Sequence, residues 1–284
     1  MTPILAFGEI LWDLFPSGKV LGGAPFNVAL RLHEFNQDVL FCSGIGDDSL
    51  GGEIAEIIKK MHLPHLLKIS DSLQTGVVNV TLDQNKHASY VIANPAAWDE
   101  IQAPENWQGE VVFGSLALRN PANRNTLNGL LKKSTFNYFD VNLRQPYFEF
   151  NLILHYLEQA QLVKFNEEEF CWFCQQKWGI SELSSGLEAF QKWHPNMILC
   201  VTKGSEGALL IADSELYQAA APKVRVADTV GAGDAFFACL ITCVRNKLSW
   251  QKSLTLACEV GAIVASQSGA TNQLPNYILH KVNN

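Results

Sequence analysis

From Ile4 onward, short β-rich runs alternate with stretches of helical period over most of the chain. The strand candidates are Ile4–Phe7, Val39–Cys42, Val111–Phe113, Tyr138–Val141, Leu162–Phe165, Ile198–Val201 and Ala208–Ile211. Between them lie helix candidates. One covers Asn27–Phe35, another carries Ile54, Ile57, Ile58 and Met61 at helical spacing, and others fall near 122–133, 151–159 and 182–193. A chain that alternates in this way has few options: parallel strands joined by helical crossovers, with helices covering both faces of the sheet. After about residue 234 the pattern turns helical. Phe237, Leu240, Ile241 and Val244 make one apolar face, and Leu254, Ala257, Val260 and Ile263 or Val264 another.

Two regions break the rhythm. Gln74–Ile92 reads as two strands, Gly76–Leu82 and His87–Ile92, joined by the polar turn Asp83-Gln84-Asn85-Lys86. Near the start, Ile10–Phe15 and Lys19–Leu21 flank Pro16-Ser17-Gly18. These strands, at about 10–21 and 74–92, are expected to form a small separate sheet inserted in one domain spanning 1–284. The sequence holds no internal repeat, low-complexity tract or Pro-rich linker that would tether a second unit.

Composition narrows the function classes. With 48% hydrophobic and 17% charged residues, a large apolar core is affordable and a disordered chain is excluded. The formal net charge of -7 argues against nucleic acid as a partner. No apolar run approaches the roughly 20 residues of a membrane span, and Met1–Phe7 lacks the pattern of a secretory signal. Seven cysteines, an odd number set mostly in apolar segments, fit reduced thiols and a cytoplasmic location.

The stretch Asp228-Thr229-Val230-Gly231-Ala232-Gly233-Asp234-Ala235-Phe236 leads from a small-residue loop into an amphipathic helix. Gly231 and Gly233 let backbone N–H groups converge on an oxyanion, and the helix N-terminus adds partial positive charge. Asp234, in the first turn, is expected to be held in its charged, weakly basic form. It can still take a hydroxyl proton as phosphoryl transfer passes through a loose transition state. Taken alone, the loop also reads as an ordinary helix cap. Neither a Walker loop nor a G-x-G-x-x-G fingerprint occurs in the chain.

A second glycine turn, Gly22-Gly23-Ala24-Pro25-Phe26-Asn27, precedes another helix, with Asp13 a short hairpin upstream. An Asp and an Asn beside bare backbone suit the paired donors and acceptors of a polyol. A tight turn with Asn27 as a helix cap is the alternative.

Together and in this order, GGAPFNVAL and DTVGAGDAF resemble the two signature regions of the ribokinase/PfkB carbohydrate kinase family. Three intermediate elements are similar as well: Asp140-Val-Asn142-Leu-Arg144, Asn166-Glu167-Glu168-Glu169 and Thr202-Lys203-Gly204-Ser205-Glu206-Gly207. The resemblance runs from Phe7 to about Pro275. It implies a ribokinase-like three-layer α/β/α sandwich with a small β-sheet lid. It also implies Asp234 as catalytic base, with Gly231, Ala232 and Gly233 as the anion hole and Arg144 near the phosphates. Asp13, Gly22, Gly23 and Asn27 would hold the sugar. Thr202, Gly204 and Gly207 would line ATP, and Asn166 with Glu169 would organise Mg²⁺, through water at Glu169. Asp228 resembles a position beside a monovalent-cation loop, K⁺ by implication, with Gly269 on the other side.

Phe7-Gly8-Glu9-Ile10-Leu11-Trp12-Asp13 and DVNLRQPYF look most like the fructokinase branch. Many fructokinases carry an Arg after the second lid strand, where this chain reads Ile92-Ala93-Asn94. The resemblance thus implies an ATP-dependent sugar kinase acting on a primary hydroxyl, with fructose as the first candidate. Ribose, 2-keto-3-deoxygluconate or a nucleoside are alternatives, and a non-catalytic sugar or nucleotide sensor is a remote one. Val78, Val80 and Leu82 alternate on the hairpin and suggest an apolar lid face for a homodimer. Trp98 is read either as a sugar-stacking ring or as packing. Cys171 and Cys174 and the scattered histidines receive no catalytic role.

Overall fold

The computed structural model describes residues 2–16, 18–82 and 88–283. In chain order the strands are β1 (Ile4–Phe7), β2 (Leu11–Phe15), β3 (Gly18–Gly22), β4 (Val39–Gly46), β5 (His65–Ser70), β6 (Val77–Leu82), β7 (Ala88–Ile92), β8 (Glu110–Gly114), β9 (Phe136–Asp140), β10 (Leu162–Asn166), β11 (Ile198–Thr202), β12 (Ala208–Ala212) and β13 (Glu215–Ala219). The helices are α1 (Ala24–Glu34), α2 (Ser49–Lys60), α3 (Pro121–Leu131), α4 (Phe150–Leu157), α5 (Glu167–Trp178), α6 (Leu183–Trp193), α7 (Ala232–Arg245), α8 (Trp250–Ala265) and α9 (Asn276–Asn283).

Nine strands make one sheet in the order β13-β12-β11-β10-β9-β8-β1-β4-β5. Its pairs are parallel from β11 to β5 and antiparallel at β11–β12 and β12–β13. Alternation along β1 shows why both faces must be covered. Ile4 and Ala6 enter the core beneath α1, α2, α7, α8 and α9, while Leu5 and Phe7 enter the core beneath α3 to α6. All four are 0% exposed. Burial stabilises by about 1.5–3 kcal/mol for each large apolar side chain. The result is the expected sandwich of helix, sheet and helix.

The two hairpin regions meet in a separate four-stranded sheet of order β3-β2-β6-β7. The turn Asp83–Lys86 lies outside the described residues. Val78 and Val80 do not form an exposed stripe, contrary to expectation: they are 6% and 3% exposed, clustered with Leu11 and packed by Phe15 and Ile92. β5 and β13 were not expected from the sequence. Both are sheet edges with mixed exposure, so neither carries the apolar run of a central strand. Among the described residues, no helix is long and apolar enough to cross a membrane.

Candidate active site

Strand order reverses at β1, which has β4 on one side and β8 on the other. In an open α/β sheet the crevice beyond the carboxyl ends of such strands is where ligands bind. Here that position is filled by Gly8-Glu9 after β1 and by Ser115 after β8, with the start of α1 laid across them. The approach is close enough to demand glycine. A Cβ on Gly8 would collide with the Pro25 ring, and one on Gly23 with the Glu9 carbonyl oxygen. Gly23 also has φ of 119°, which L side chains avoid.

Asn27 sits one turn into α1, 5% exposed, its amide bonded to Gly23 O at 2.9 Å. Its Nδ2 donates to Asp234 Oδ2 at 2.8 Å, and its buried Oδ1 has no partner among the described residues. The turns at Gly22–Asn27 and Gly231–Asp234, remote in sequence, therefore meet at one point. Gly22 lies against Asp13, whose Oδ2 would be 2.7 Å from any Cβ there.

Asp234 departs from the expected weakly basic form. Loss of water around its carboxyl, then repulsion from Asp140, pushes its pKa up to about 6, against the pull of Asn27, Lys164 and Arg144. Asp13 is also raised to about 6, chiefly by burial, with Arg144 opposing and Asp228 adding. Arg144 is exposed and, among the described residues, donates only to its neighbour's carbonyl, Leu143 O, at 3.1 Å. Its charge acts on Asp13 and Asp234 together.

Gly231 begins α7 with φ of 76°, and a Cβ there would collide with Ala270. The Ala232 amide turns inward to Thr229 O at 3.2 Å, whereas those of Gly231 and Gly233 make no hydrogen bond among the described residues. Behind Gly233 stands Lys164, its Nζ 3.7 Å from the position of a Cβ. Lys164 is 6% exposed and pairs with Asp140 Oδ1 at 2.7 Å; Asp140 Oδ2 is buried without a partner among the described residues. Burial works against the charged Lys164, but Asp140, Glu169 and Asp234 outweigh it and hold the ammonium above its ordinary pKa.

Asn166 and Glu169 form a reciprocal capping box on α5. Glu169 N–H donates to Asn166 Oδ1 at 2.8 Å, Asn166 N–H to Glu169 Oε2 at 2.9 Å, and Leu143 N–H to Glu169 Oε1 at 2.8 Å. Glu169 thereby ties α5 to the loop bearing Arg144. Burial raises its pKa, and Lys164 opposes. Thr202 ends β11, and Gly204 and Gly207 follow in a tight turn where Lys203 N–H reaches Gly207 O at 2.8 Å. Asp228 accepts from Val230 N–H at 3.0 Å and Gly269 N–H at 3.1 Å.

The sequence reading missed three charged groups. Glu9 is 3% exposed directly after β1, and Lys164 faces inward from an apolar strand. A charge inside or beside a buried strand was the available signal. Arg119 is fixed by Asp99 at 2.9 and 2.8 Å, and its Nη2 donates to Ala93 O at 2.8 Å. Its guanidinium lies 3.8 Å from the Trp98 ring centroid. Trp98 is 0% exposed, so it packs and offers no face to a ligand.

A family model for pfkB family carbohydrate kinases matches residues 17–276. A fructokinase of Vibrio alginolyticus is 26% identical over 301 residues, covering 97% of this chain and 96% of that protein. The crystal structure of the Vibrio cholerae fructokinase in its fructose-, ADP- and calcium-bound form matches with a TM-score of 0.85 at 24% identity, over 100% of this chain and 99% of that one. Aminoimidazole riboside kinase of Salmonella enterica, complexed with aminoimidazole riboside and an ATP analogue, matches with a TM-score of 0.80 at 22% identity, over 99% of each chain. The structural likenesses show a shared ribokinase-like α/β fold. With the family model spanning most of its length, the chain belongs to the pfkB family of carbohydrate kinases.

Proposed function

We propose that the protein is an ATP-dependent sugar kinase whose acceptor is a primary hydroxyl of a small sugar, fructose first, phosphorylated at its 6-hydroxyl. The observation that carries this reading is the Asn27–Asp234 hydrogen bond, which sets a raised-pKa carboxyl beside a residue suited to hold a polyol. Buried oxygens without donors among the described residues, Asn27 Oδ1 one of them, match the hydroxyl donors of a sugar. Asp13, Gly22 and Gly23 complete the sugar end. Likeness to fructokinases supports fructose.

In this reading Asn27 holds Asp234 Oδ2, and Oδ1 takes the proton of the attacking hydroxyl during in-line transfer. The N-terminus of α7, with Gly231, Gly233 and the Lys164 charge behind them, stabilises the phosphoryl group in flight; Ala232 shapes the turn while its amide is engaged internally. Arg144 offsets negative charge at the mouth. Thr202, Gly204 and Gly207 bound the nucleotide side. The four-stranded sheet closes over the sugar as a lid of one domain and excludes water. Its exposed Val20, Tyr90 and Val91 support a homodimer, which light scattering tests.

Among the described residues no cluster of three or more carboxylate, His or Cys ligands could enclose a metal ion. The donors present suit Mg²⁺ held mainly by phosphates and water, with Asn166, Glu169 and the unpartnered Asp140 Oδ2 as outer partners. Bound there, Mg²⁺ would neutralise phosphate charge. For K⁺, Asp228 pins the loop to Gly269, and Gln267 Oε1 close by in sequence is a buried acceptor without a donor among the described residues.

The test is ADP release with Mg-ATP over fructose, ribose, 2-keto-3-deoxygluconate, mannose and adenosine. Turnover that rises with fructose alone supports the reading. Preference for adenosine would favour a nucleoside acceptor, to which the aminoimidazole riboside kinase likeness points. No sugar-dependent release would favour the non-catalytic sensor.

A further inference from the structure

We propose that Glu9 is a positioning residue for the acceptor sugar: its buried carboxyl holds the Gly23–Ala24 turn that presents Asn27 to Asp234. The inference rests on the sugar-kinase reading above. α1 starts without a side-chain cap, because Gly23 stands at the capping position. Glu9 supplies that function from another part of the chain, its Oε1 accepting the Ala24 N–H at 3.3 Å. Its main chain braces the same turn, since the Glu9 carbonyl fills the space a Gly23 side chain would need. From there the linkage is short. Gly23 O accepts the Asn27 amide at 2.9 Å, and Asn27 Nδ2 reaches Asp234 Oδ2 at 2.8 Å.

A carboxyl is an expensive choice for a brace. Glu9 is 3% exposed, and its Oε2 is buried with no partner among the described residues. Burial raises its pKa to about 7, and the charged groups facing it are Arg144 from the loop after β9 and Asp234 from α7. Closing a turn does not require a group that feels both the cation and the base of the site, as Glu9 does. Glu9 therefore links the turn that grips the sugar to the charges that act on it.

The test uses the full-length protein and three variants. Glu9→Leu removes the acceptor, and Glu9→Gln keeps it without charge. Ala24→Pro, after a Gly23 whose ψ of 118° suits a following proline, removes the donor and puts the ring Cδ where the N–H reached Glu9, displacing the carboxyl as well. We expect Glu9→Leu and Ala24→Pro each to raise the sugar KM roughly tenfold, as for loss of one buried hydrogen bond. The ATP KM and kcat should stay within about threefold, and Glu9→Gln should keep a sugar KM near wild type. The double variant Glu9→Leu/Ala24→Pro should be no worse than either single one. An unchanged sugar KM in Ala24→Pro, or additive effects in the double variant, overturns the proposal even should Glu9→Leu fail to fold. A wild type without sugar-dependent ADP release overturns the kinase reading and this proposal with it. An active wild type with unmoved variants overturns this proposal alone.

Discussion

Asn27 Nδ2 donates to Asp234 Oδ2 at 2.8 Å, joining the first turns of α1 and α7 across 207 residues of sequence. The bond fixes one carboxylate oxygen and orients the other. Asp234→Asn preserves shape but cannot accept a proton at neutral pH, so kcat should fall by about 10²- to 10⁴-fold. Sugar and nucleotide affinities, measured by calorimetry, should change only a few-fold. Near-normal kcat would remove Asp234 from the role of base.

Burial raises the pKa of Asp234 to about 6 in the free protein, so kcat/KM should fall as pH drops through 6 and level off above it. Arg144 lowers the pKa of Asp234, so Arg144→Gln should move this acid limb to higher pH; a limb that stays in place would show that the two charges do not communicate.

The same shift has a stability cost of definite sign. Asp234 binds its proton more tightly folded than unfolded, where 3.8 is the ordinary value. Its contribution therefore declines as pH rises from about 4 through 6 and stays low above that. Asp234→Asn should consequently melt a few degrees higher than wild type at pH 8 and lose that advantage below pH 4. Thermal melts at the two pH values decide it. Equal melting at pH 8 would mean that the carboxyl is not strained by its surroundings.

The sheet was legible in the sequence because its central strands are short apolar runs between helical periods, as at Leu162–Phe165 and Ile198–Val201. Glycine turns before Asn27 and Asp234 were legible for a different reason: close backbone approach excludes any side chain. What sequence spacing does not encode is which distant groups share a dielectric. The raised pKa of Asp234 depends on burial and on Asp140, and Lys164 is held charged by carboxylates from β9, α5 and α7. Edge strands β5 and β13 escaped because half-exposed strands look like loops.

Lys164 and Asp140 form a buried pair, 8% and 5% exposed at the side chain, 2.7 Å apart. Removing one partner strands the other charge. Lys164→Met should destabilise the fold by about 3–5 kcal/mol and abolish turnover. Lys164→Met/Asp140→Leu should recover much of that stability in urea melts, because both charges are gone, yet stay inactive. Recovery of activity with stability would assign the pair to the scaffold alone.

Gly231 combines a positive φ with a contact that leaves no room for a side chain. Its φ is 76°, and a side chain would drive into Ala270, whose carbonyl accepts from the buried Arg31 Nη2 at 2.6 Å. Ala270 cannot yield without disturbing Arg31 in α1, the helix that carries Asn27. Gly231→Ala should therefore cost about 1–3 kcal/mol and lower kcat as well, since the α7 N-terminus and the α1 turn shift together. Gly52, exposed within α2 with nothing within 4 Å of a Cβ, is the control. Gly52→Ala should stabilise by up to about 1 kcal/mol with kcat unchanged. If Gly231→Ala behaved like Gly52→Ala in melts and turnover, the positive φ would not be required and the anion hole would have to lie elsewhere on α7.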